Sequence, residues 1–303
     1  MNERPVVAGV DGSPPSLIAA EHAAVAAVAL GVPLQLVHGY LHPGSYGAAV
    51  LTPYDLTPPP APEEGEGFLS DLAAHLRTTY PGLTVTAKQV LGGAAAALLA
   101  ESTDASLLVV GSRGLGGFSG MLLGSVSAHV VAHARCPVLV VRPPIPPATR
   151  PDAPVIAGVD GSAGSLRAVR YAAGEAARRG RKLILVHAGV GAAEADRTRA
   201  QELLDEAAGQ AAQAHPEVQV STEIRYGADA ADGKVEASKQ AAVVVVGSRG
   251  RGGFLGLLLG SISQALVHHA HCPVLVVPPR VDERRLVPTG GEVAAAAAGP
   301  DRG

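Results

Sequence analysis

The stretch Val6-Val-Ala-Gly-Val-Asp-Gly-Ser13 returns 149 residues later as Val155-Ile-Ala-Gly-Val-Asp-Gly-Ser162, identical at seven of eight positions. Each copy is a short apolar run that stops at an Asp-Gly turn pair and leads through Ser into an Ala-rich segment. That order reads as a strand, a turn and a capped helix. A second match joins Gly111 to Pro144 with Gly247 to Arg280, where 23 of 34 positions are identical at an offset of 136. The chain is therefore one unit written twice. Val37-His38 and Val186-His187 still align at 149, so the 13 extra residues of the first copy (149 − 136) lie between His38 and Gly111. Pro43, Pro53, Pro58 to Pro60 and Pro62 assign them to a long loop over Pro43 to Gly65, which would lie as a lid over a first-copy site.

Within the first copy the pattern predicts strands at Val6 to Val10, Leu34 to His38, Leu83 to Val90, Leu107 to Val110 and Val138 to Val141. Helices are expected at Ser16 to Leu30, Glu64 to Tyr80, Ala94 to Ser102 and Ser125 to His133. The second copy repeats the scheme from Val155 to Val277. Short continuous apolar strands alternating with helices indicate a parallel sheet covered on both faces, hence two tandem doubly wound α/β domains. The expected bounds are 1–143 and 152–280. A stiff proline-rich connector runs from Arg142 to Pro154, and 281–303 is expected to be a disordered tail.

A chain of 303 residues has room for two such domains, and with 3% aromatic residues and no Trp its cores must be built from small aliphatic side chains. Residues 1–150 carry 7 Lys+Arg against 10 Asp+Glu and residues 151–303 carry 17 against 17, so neither half has the basic excess of a DNA binder. No apolar run reaches the length of a membrane span, Met1 to Val10 has no secretory core, and the two cysteines, Cys136 and Cys272, make no disulfide framework. A soluble cytoplasmic protein without nucleic-acid or membrane partners is expected.

In a doubly wound sheet a ligand sits beyond the carboxyl ends of the strands, where strand order reverses. Gly111-Ser-Arg-Gly114, nine residues, then Gly124-Ser125 opening a helix falls there, as does Gly247-Ser-Arg-Gly250 with Gly260-Ser261. Glycines admit close approach of the backbone, and unbonded N–H groups at the helix start favour phosphate oxygens. Asp11 and Asp160 are placed to accept from a ribose hydroxyl or to approach a metal ion on the phosphates, and capping the following turn is a compatible role. Other nucleotide motifs fail. Gly227 to Val235 has five residues between its glycines and Val235 after Lys234, so it is no P-loop. Ser119 and Leu255 occupy the last glycine of a dinucleotide fingerprint.

Simpler roles are expected for other reactive side chains. His38 and His187 read as structural residues at strand ends. His129 and His133 share a helix face, but Ala265 replaces His129 in the other copy and no carboxylate or Cys motif accompanies them or His268, His269 and His271, so no metal site is expected. Cys136 and Cys272 each precede Pro at the start of a strand and read as buried hydrophobes. No catalytic triad is defensible.

G-x-D-x-S at strand one, V-H at strand two, G-x2-G-x9-G-S and a closing C-P-V-L-V-V strand resemble the universal stress protein family in its tandem form, over residues 5–142 and 154–278. The resemblance implies an adenine nucleotide alpha hydrolase-like fold with a five-stranded parallel sheet of order 3-2-1-4-5, helices on both faces, and dimerisation through the final strand. A tandem chain could form that dimer internally as a pseudo-dimer and associate further as a homodimer. It also implies ATP, with or without Mg, in both domains. Gly9 and Gly158 belong to the first motif, Asp11 and Gly111 resemble the ribose contacts, and Gly39 resembles the position whose backbone reads adenine. Gly114, Gly124, Ser125 and Val126 resemble the triphosphate cradle. The second-copy positions are Asp160, Ala188, Gly247, Gly250, Gly260, Ser261 and Ile262. Val110 and Val246 flank the base or sugar, and Arg113 and Arg249 sit inside the loops.

Three function classes stay open: an ATP-binding regulatory stress protein with an unspecified protein partner, an enzyme limited to slow ATP hydrolysis or nucleotidyl transfer, and an interaction module with empty sites. The absence of an obvious general base or of a lysine approaching the γ-phosphate argues against the enzyme.

Overall fold

The computed structural model describes residues 4–40, 63–114, 123–142, 152–189, 194–226, 230–250 and 259–279. The first half runs β1 (Val6–Gly9), α1 (Pro14–Leu30), β2 (Leu34–Tyr40), α2 (Glu63–Thr79), β3 (Val85–Leu91), α3 (Ala94–Glu101), β4 (Leu107–Gly111), α4 (Ser125–His133) and β5 (Val138–Val141). The second half repeats this as β6 (Val155–Val159), α5 (Ala163–Arg179), β7 (Leu183–Gly189), α6 (Glu194–Ala214), β8 (Val220–Tyr226), α7 (Ala230–Ser238), β9 (Val243–Gly247), α8 (Ser261–His269) and β10 (Val274–Val277).

These strands form one sheet of order β3-β2-β1-β4-β5-β10-β9-β6-β7-β8, which contains the order 3-2-1-4-5 twice. Within each half the pairing is parallel, with β1 between β2 and β4 and β6 between β7 and β9. The halves meet at β5 and β10, which pair antiparallel with Leu139 opposite Leu275. The seam continues the sheet from one half into the other, so the expected internal pairing of final strands is present. Arg142, just past β5, reaches across it and its guanidinium donates to the His268 carbonyl at the end of α8.

Alternate side chains of the strands feed two cores. Val6, Leu34, Val109, Leu139, Val155, Leu183 and Val245 pack on the face that α1, α2, α5 and α6 cover. Val7, Val37, Val110, Val140, Ile156 and Val246 pack on the face of α3, α4, α7 and α8. With both faces covered, β4 and β9 are buried at every position, which is why they read as continuous apolar runs. Ala19, Ala20, Ala23, Ala24 and Ala27 of α1 are buried, and their small side chains let the helix lie close to the sheet.

Helix α1 starts at Pro14 rather than Ser16, because the Ser13 hydroxyl accepts from the Ser16 N–H and Pro suits the first turn. It ends at Gly31, whose φ of 63° sends its N–H back to the Ala27 and Val28 carbonyls. Strand β2 runs two residues past His38 to Tyr40, since Gly39 and Tyr40 keep their register with Val90 and Leu91 of β3. The offset between the halves is 149 at the start of β2 and β7 (Leu34 and Leu183) and 135 at the start of β3 and β8 (Val85 and Val220), which locates the extra residues between those strands. Most of the expected proline loop, the connector and the tail lie outside the described residues.

Candidate functional site

Strand order reverses between β1 and β4: one neighbour of β1 is β2 and the other is β4, and the chain leaves β1 and β4 toward opposite faces. A cavity of about 580 Å³ opens beyond their carboxyl ends. That lies within the roughly 300–1,000 Å³ of small-molecule sites. All ten first-half residues singled out from the sequence line it: Gly9, Asp11, Gly39, Val110, Gly111, Arg113, Gly114, Gly124, Ser125 and Val126.

One end of the cavity is built from backbone. Gly111 ends β4 against the first turn of α1, where a β-carbon would lie 3.0 Å from the Pro15 carbonyl. The loop after it is pinned at both ends: Ser112 N–H donates to the Val141 carbonyl and Gly124 N–H donates to the Ser112 carbonyl, each at 2.7 Å. Gly124 caps α4 without a side-chain bond, and Ser125, Val126 and Ser127 at its first turn line the cavity. Their N–H groups have no intrahelical acceptor, and together with the helix dipole they give this end a positive potential. The buried Ser127 hydroxyl donates to the Gly111 carbonyl at 2.6 Å and fixes this helix start to β4. The exposed Arg113 adds a cation at the rim. The interior of the loop, 115–122, lies outside the described residues.

Asp11 stands between the two ends and has two separable jobs. Its Oδ1 accepts from the Ser13 N–H (3.0 Å) and the Ser13 hydroxyl (2.6 Å), closing the turn at Gly12, whose φ is 83°. Its Oδ2 lies where a side chain on Gly114 would stand. The capping role and the site-facing role, left open by the sequence, therefore fall to different oxygens.

The other end is apolar. A β-carbon on Gly9 would come within 2.7 Å of Leu98 Cδ1, so glycine there lets the α3 side chain cover β1. Val37, Leu98 and Val110 form the wall. At Gly39 a β-carbon would meet the Ala94 Cα at 2.5 Å, because the start of α3 presses onto the end of β2. His38 also lines the cavity, but its Nδ1 pairs with the Val10 carbonyl at 2.8 Å and ties β2 to β1. His187 does the same with Val159 at 3.0 Å.

The second half repeats the frame, and two of its exchanges bear on the apolar end. Asp160 Oδ1 accepts from Ser162 N–H at 2.9 Å, its Oδ2 faces Gly250, Gly260 N–H donates to the Ser248 carbonyl, and Ser263 donates to the Gly247 carbonyl at 2.6 Å. Gly247 ends β9, Arg249 is exposed, and Ser261 and Ile262 open α8 as Ser125 and Val126 open α4. Val246 packs against Gly158. Burial works against ionisation of Asp160, yet hydrogen bonds from Ser162 and Ser165 and the charge of Lys234 outweigh it and hold the carboxyl below its ordinary range. The first exchange is Ala188 for Gly39, matched by Gly233 for Ala97 on the facing helix. The methyl group has moved from helix to strand, and a β-carbon on Gly233 would sit 3.5 Å from that of Ala188.

The second exchange is Lys234 for Leu98, a residue that the sequence reading met only inside a failed P-loop. Its side chain is buried at 4% exposure and its Cδ and Cε lie over Gly158 as Leu98 lies over Gly9. Extending the offset of 136 back from Gly247 to α7 would have found it. Ser16 and Ser127 were missed as well, since a helix-facing serine carries no sequence signal of its own.

The histidine pairs stay apart from this frame. His129 and His133 stack at 4.3 Å between ring centroids, and His133 Nδ1 pairs with the His129 carbonyl. Among the described residues no group of three His, Cys, Asp or Glu converges, and no helix is long and apolar enough to cross a membrane. Cys136 and Cys272 are buried free thiols, and burial pushes the Cys272 thiol up to about 12.

Comparison with known proteins agrees with this frame. The universal stress protein family profile matches residues 3–142 and again 153–278. Universal stress protein Rv2623 of Mycobacterium tuberculosis is 34% identical over 291 residues, covering 89% of this chain and 95% of that protein. Universal stress protein Rv2005c of the same organism is 36% identical over 295 residues, with 89% and 96% covered. Among solved structures, a universal stress protein from Archaeoglobus fulgidus superposes with a TM-score of 0.63 at 19% identity, over 92% of this chain and all of that one, which shows the shared fold. Two profile matches in tandem, and relatives matched along nearly their whole length, place this chain in the universal stress protein family as a protein of two repeated domains with an adenine nucleotide alpha hydrolase-like fold.

Proposed function

We propose that each half binds one nucleoside triphosphate, that the first half takes ATP, and that the chain acts as a cytoplasmic regulatory protein of the stress response whose bound nucleotide sets partner choice. The observation that carries this reading is the two-ended cavity of about 580 Å³, with free helix N–H groups at one end and an apolar slot at the other. Phosphates suit the first end by charge and the adenine ring suits the second by shape. The N–H groups of Ser125 and Val126 would hold phosphate oxygens, Arg113 would pair with the terminal phosphate, Asp11 and Gly111 would contact ribose, and the Gly39 backbone would read the base edge.

A magnesium ion fits as a companion of the phosphates. It keeps several waters and asks for only one or two carboxylates, and Asp11 is the carboxylate among the described lining residues. When bound it would screen phosphate charge. Asp11 Oδ1 is held by Ser13 and the His38 Nδ1 pairs with the Val10 carbonyl, so both side chains also belong to the frame that shapes the site.

The test is to denature freshly purified protein, quantify released nucleotide per chain by chromatography and mass spectrometry, and titrate stripped protein with ATP and magnesium. Nucleotide released in stoichiometric amount, or saturable binding, is the expected result. No released nucleotide together with no binding would overturn the reading.

A further inference from the structure

A cavity of about 390 Å³ lies between α2 and the edge strand β3, apart from the one at β1 and β4. Leu69, Ser70, Ala73 and Arg77 line it from α2, and Ala87 and Gln89 from β3. Val85, Ala87 and Gln89 alternate onto this face of the sheet. Val85 is packed into the core, but the methyl group of Ala87 leaves space under α2. Gln89 stands at one end of that space, and both its Oε1 and its Nε2 are buried without a hydrogen-bond partner. Arg77 marks the other end, where its guanidinium donates to the Val85 carbonyl at 2.6 Å. Val85 and Gln89 are four residues apart, about 13 Å along a strand.

A buried carboxamide with neither donor nor acceptor answered costs free energy, and the fold does not require one here. The second half shows the apolar solution. Gln89 is in register with His38 and Ile224 with His187, so the two positions are equivalent, and Ile224 packs against the core. By the same register Thr222 takes the place of Ala87. The first half therefore carries a smaller residue and a polar one where the second half carries bulk. A group that answers both atoms of a carboxamide at once has an N–H beside a C=O, as on the edge of a lactam or imide. At the far end the guanidinium has donors beyond the one given to Val85, and its charge favours a carboxylate. The volume lies within the range of small-molecule sites.

We propose that the cavity between α2 and β3 is a ligand site of its own, and that it takes a small lactam or imide with a carboxylate at its far end. The Gln89 amide holds the N–H and C=O edge, and Arg77 pairs with the carboxylate. Orotate has this form, uracil lacks the carboxylate and benzoate lacks the imide edge, so these three serve as probes. The test is ligand-observed NMR titration of the full chain, as wild type, Gln89→Ile and Ala87→Thr, with a thermal melt of each. Both substitutions copy the second half. Orotate is expected to bind saturably and at least threefold more tightly than uracil or benzoate, and each variant to lose at least tenfold in orotate affinity. Gln89→Ile should melt no lower than wild type, because it removes a buried unpaired amide. Ala87→Thr narrows the cavity and leaves the amide in place, which keeps the test open if isoleucine disturbs the fold. No saturable binding of orotate, which would leave water as the partner of the amide, would overturn the proposal. So would a preference over uracil or benzoate below threefold, or unchanged orotate affinity in either variant that melts as wild type does.

Discussion

Asp11 Oδ2 occupies the space into which a side chain at Gly114 would project, and Asp160 Oδ2 does the same at Gly250. The contact couples the end of β1 to the loop after β4, two segments about 100 residues apart in sequence, across the mouth of the cavity. Glycine at 114 is thus required by its neighbour and not by the loop's own backbone.

Substitution at this position should act through Asp11. Gly114→Val is expected to displace the carboxylate and weaken ATP binding at the first site by tenfold or more. Gly124→Ala should cost less than threefold, because a β-carbon there meets Arg113 and Ser112 at an ordinary 3.5 Å. Calorimetric titration of both variants checks the contrast, and equal losses would contradict it.

Removing the hydroxyl of Ser127 should loosen the start of α4 from β4. The bond to the Gly111 carbonyl is buried and 2.6 Å long, so Ser127→Ala is expected to lower stability by about 1 kcal/mol. Ser263→Ala, which breaks the same bond in the second half, should match it. Urea unfolding gives both values, and a change in either below the error of the method would show that the bond contributes nothing net.

Glu175 supplies an acid-sensitive part of the stability. Burial on α5 opposes its charge, but Arg179 and Arg178, both bonded to it, hold its carboxyl down to about 2. A carboxyl depressed in the folded state stabilises above its unfolded value near 4.5 and loses that contribution as pH falls toward 2. Glu175→Gln should therefore cost on the order of 2 kcal/mol at pH 7 and progressively less between pH 4.5 and 2. Thermal melts of wild type and variant across that range should converge at the acid end.

Cys272 should be inert in the native protein. With its thiol pushed up to about 12 by burial, almost no thiolate exists at pH 8. A disulfide reagent at that pH is expected to label it only after denaturant is added, and rapid native labelling would show that β10 opens readily.

The repeated motif was enough to place each half in a doubly wound fold, because its strands are buried on both faces and its cap and turn residues, Ser13 and Gly12, act locally. Ends were less legible. Strand β2 extends through Gly39, which reads as a break, since its pairing with β3 is decided by a strand about 50 residues away. The glycine loops were legible as a repeated frame because their spacing is fixed by the pinning bonds at Ser112 and Ser248. Lys234 was not, because its meaning comes from lying over Gly158, which only the three-dimensional alignment of α7 on β6 reveals.

The antiparallel seam of β5 and β10 has a consequence for how such a protein can evolve. Two separate chains meeting at that edge would fall apart on dilution and would carry the same residue at both sites, since one gene encodes both copies. The covalent connector keeps the partners at high effective concentration regardless of expression level. It also releases each site from the obligation to match its twin, so a leucine in one slot can face a lysine in the other within a single inherited unit.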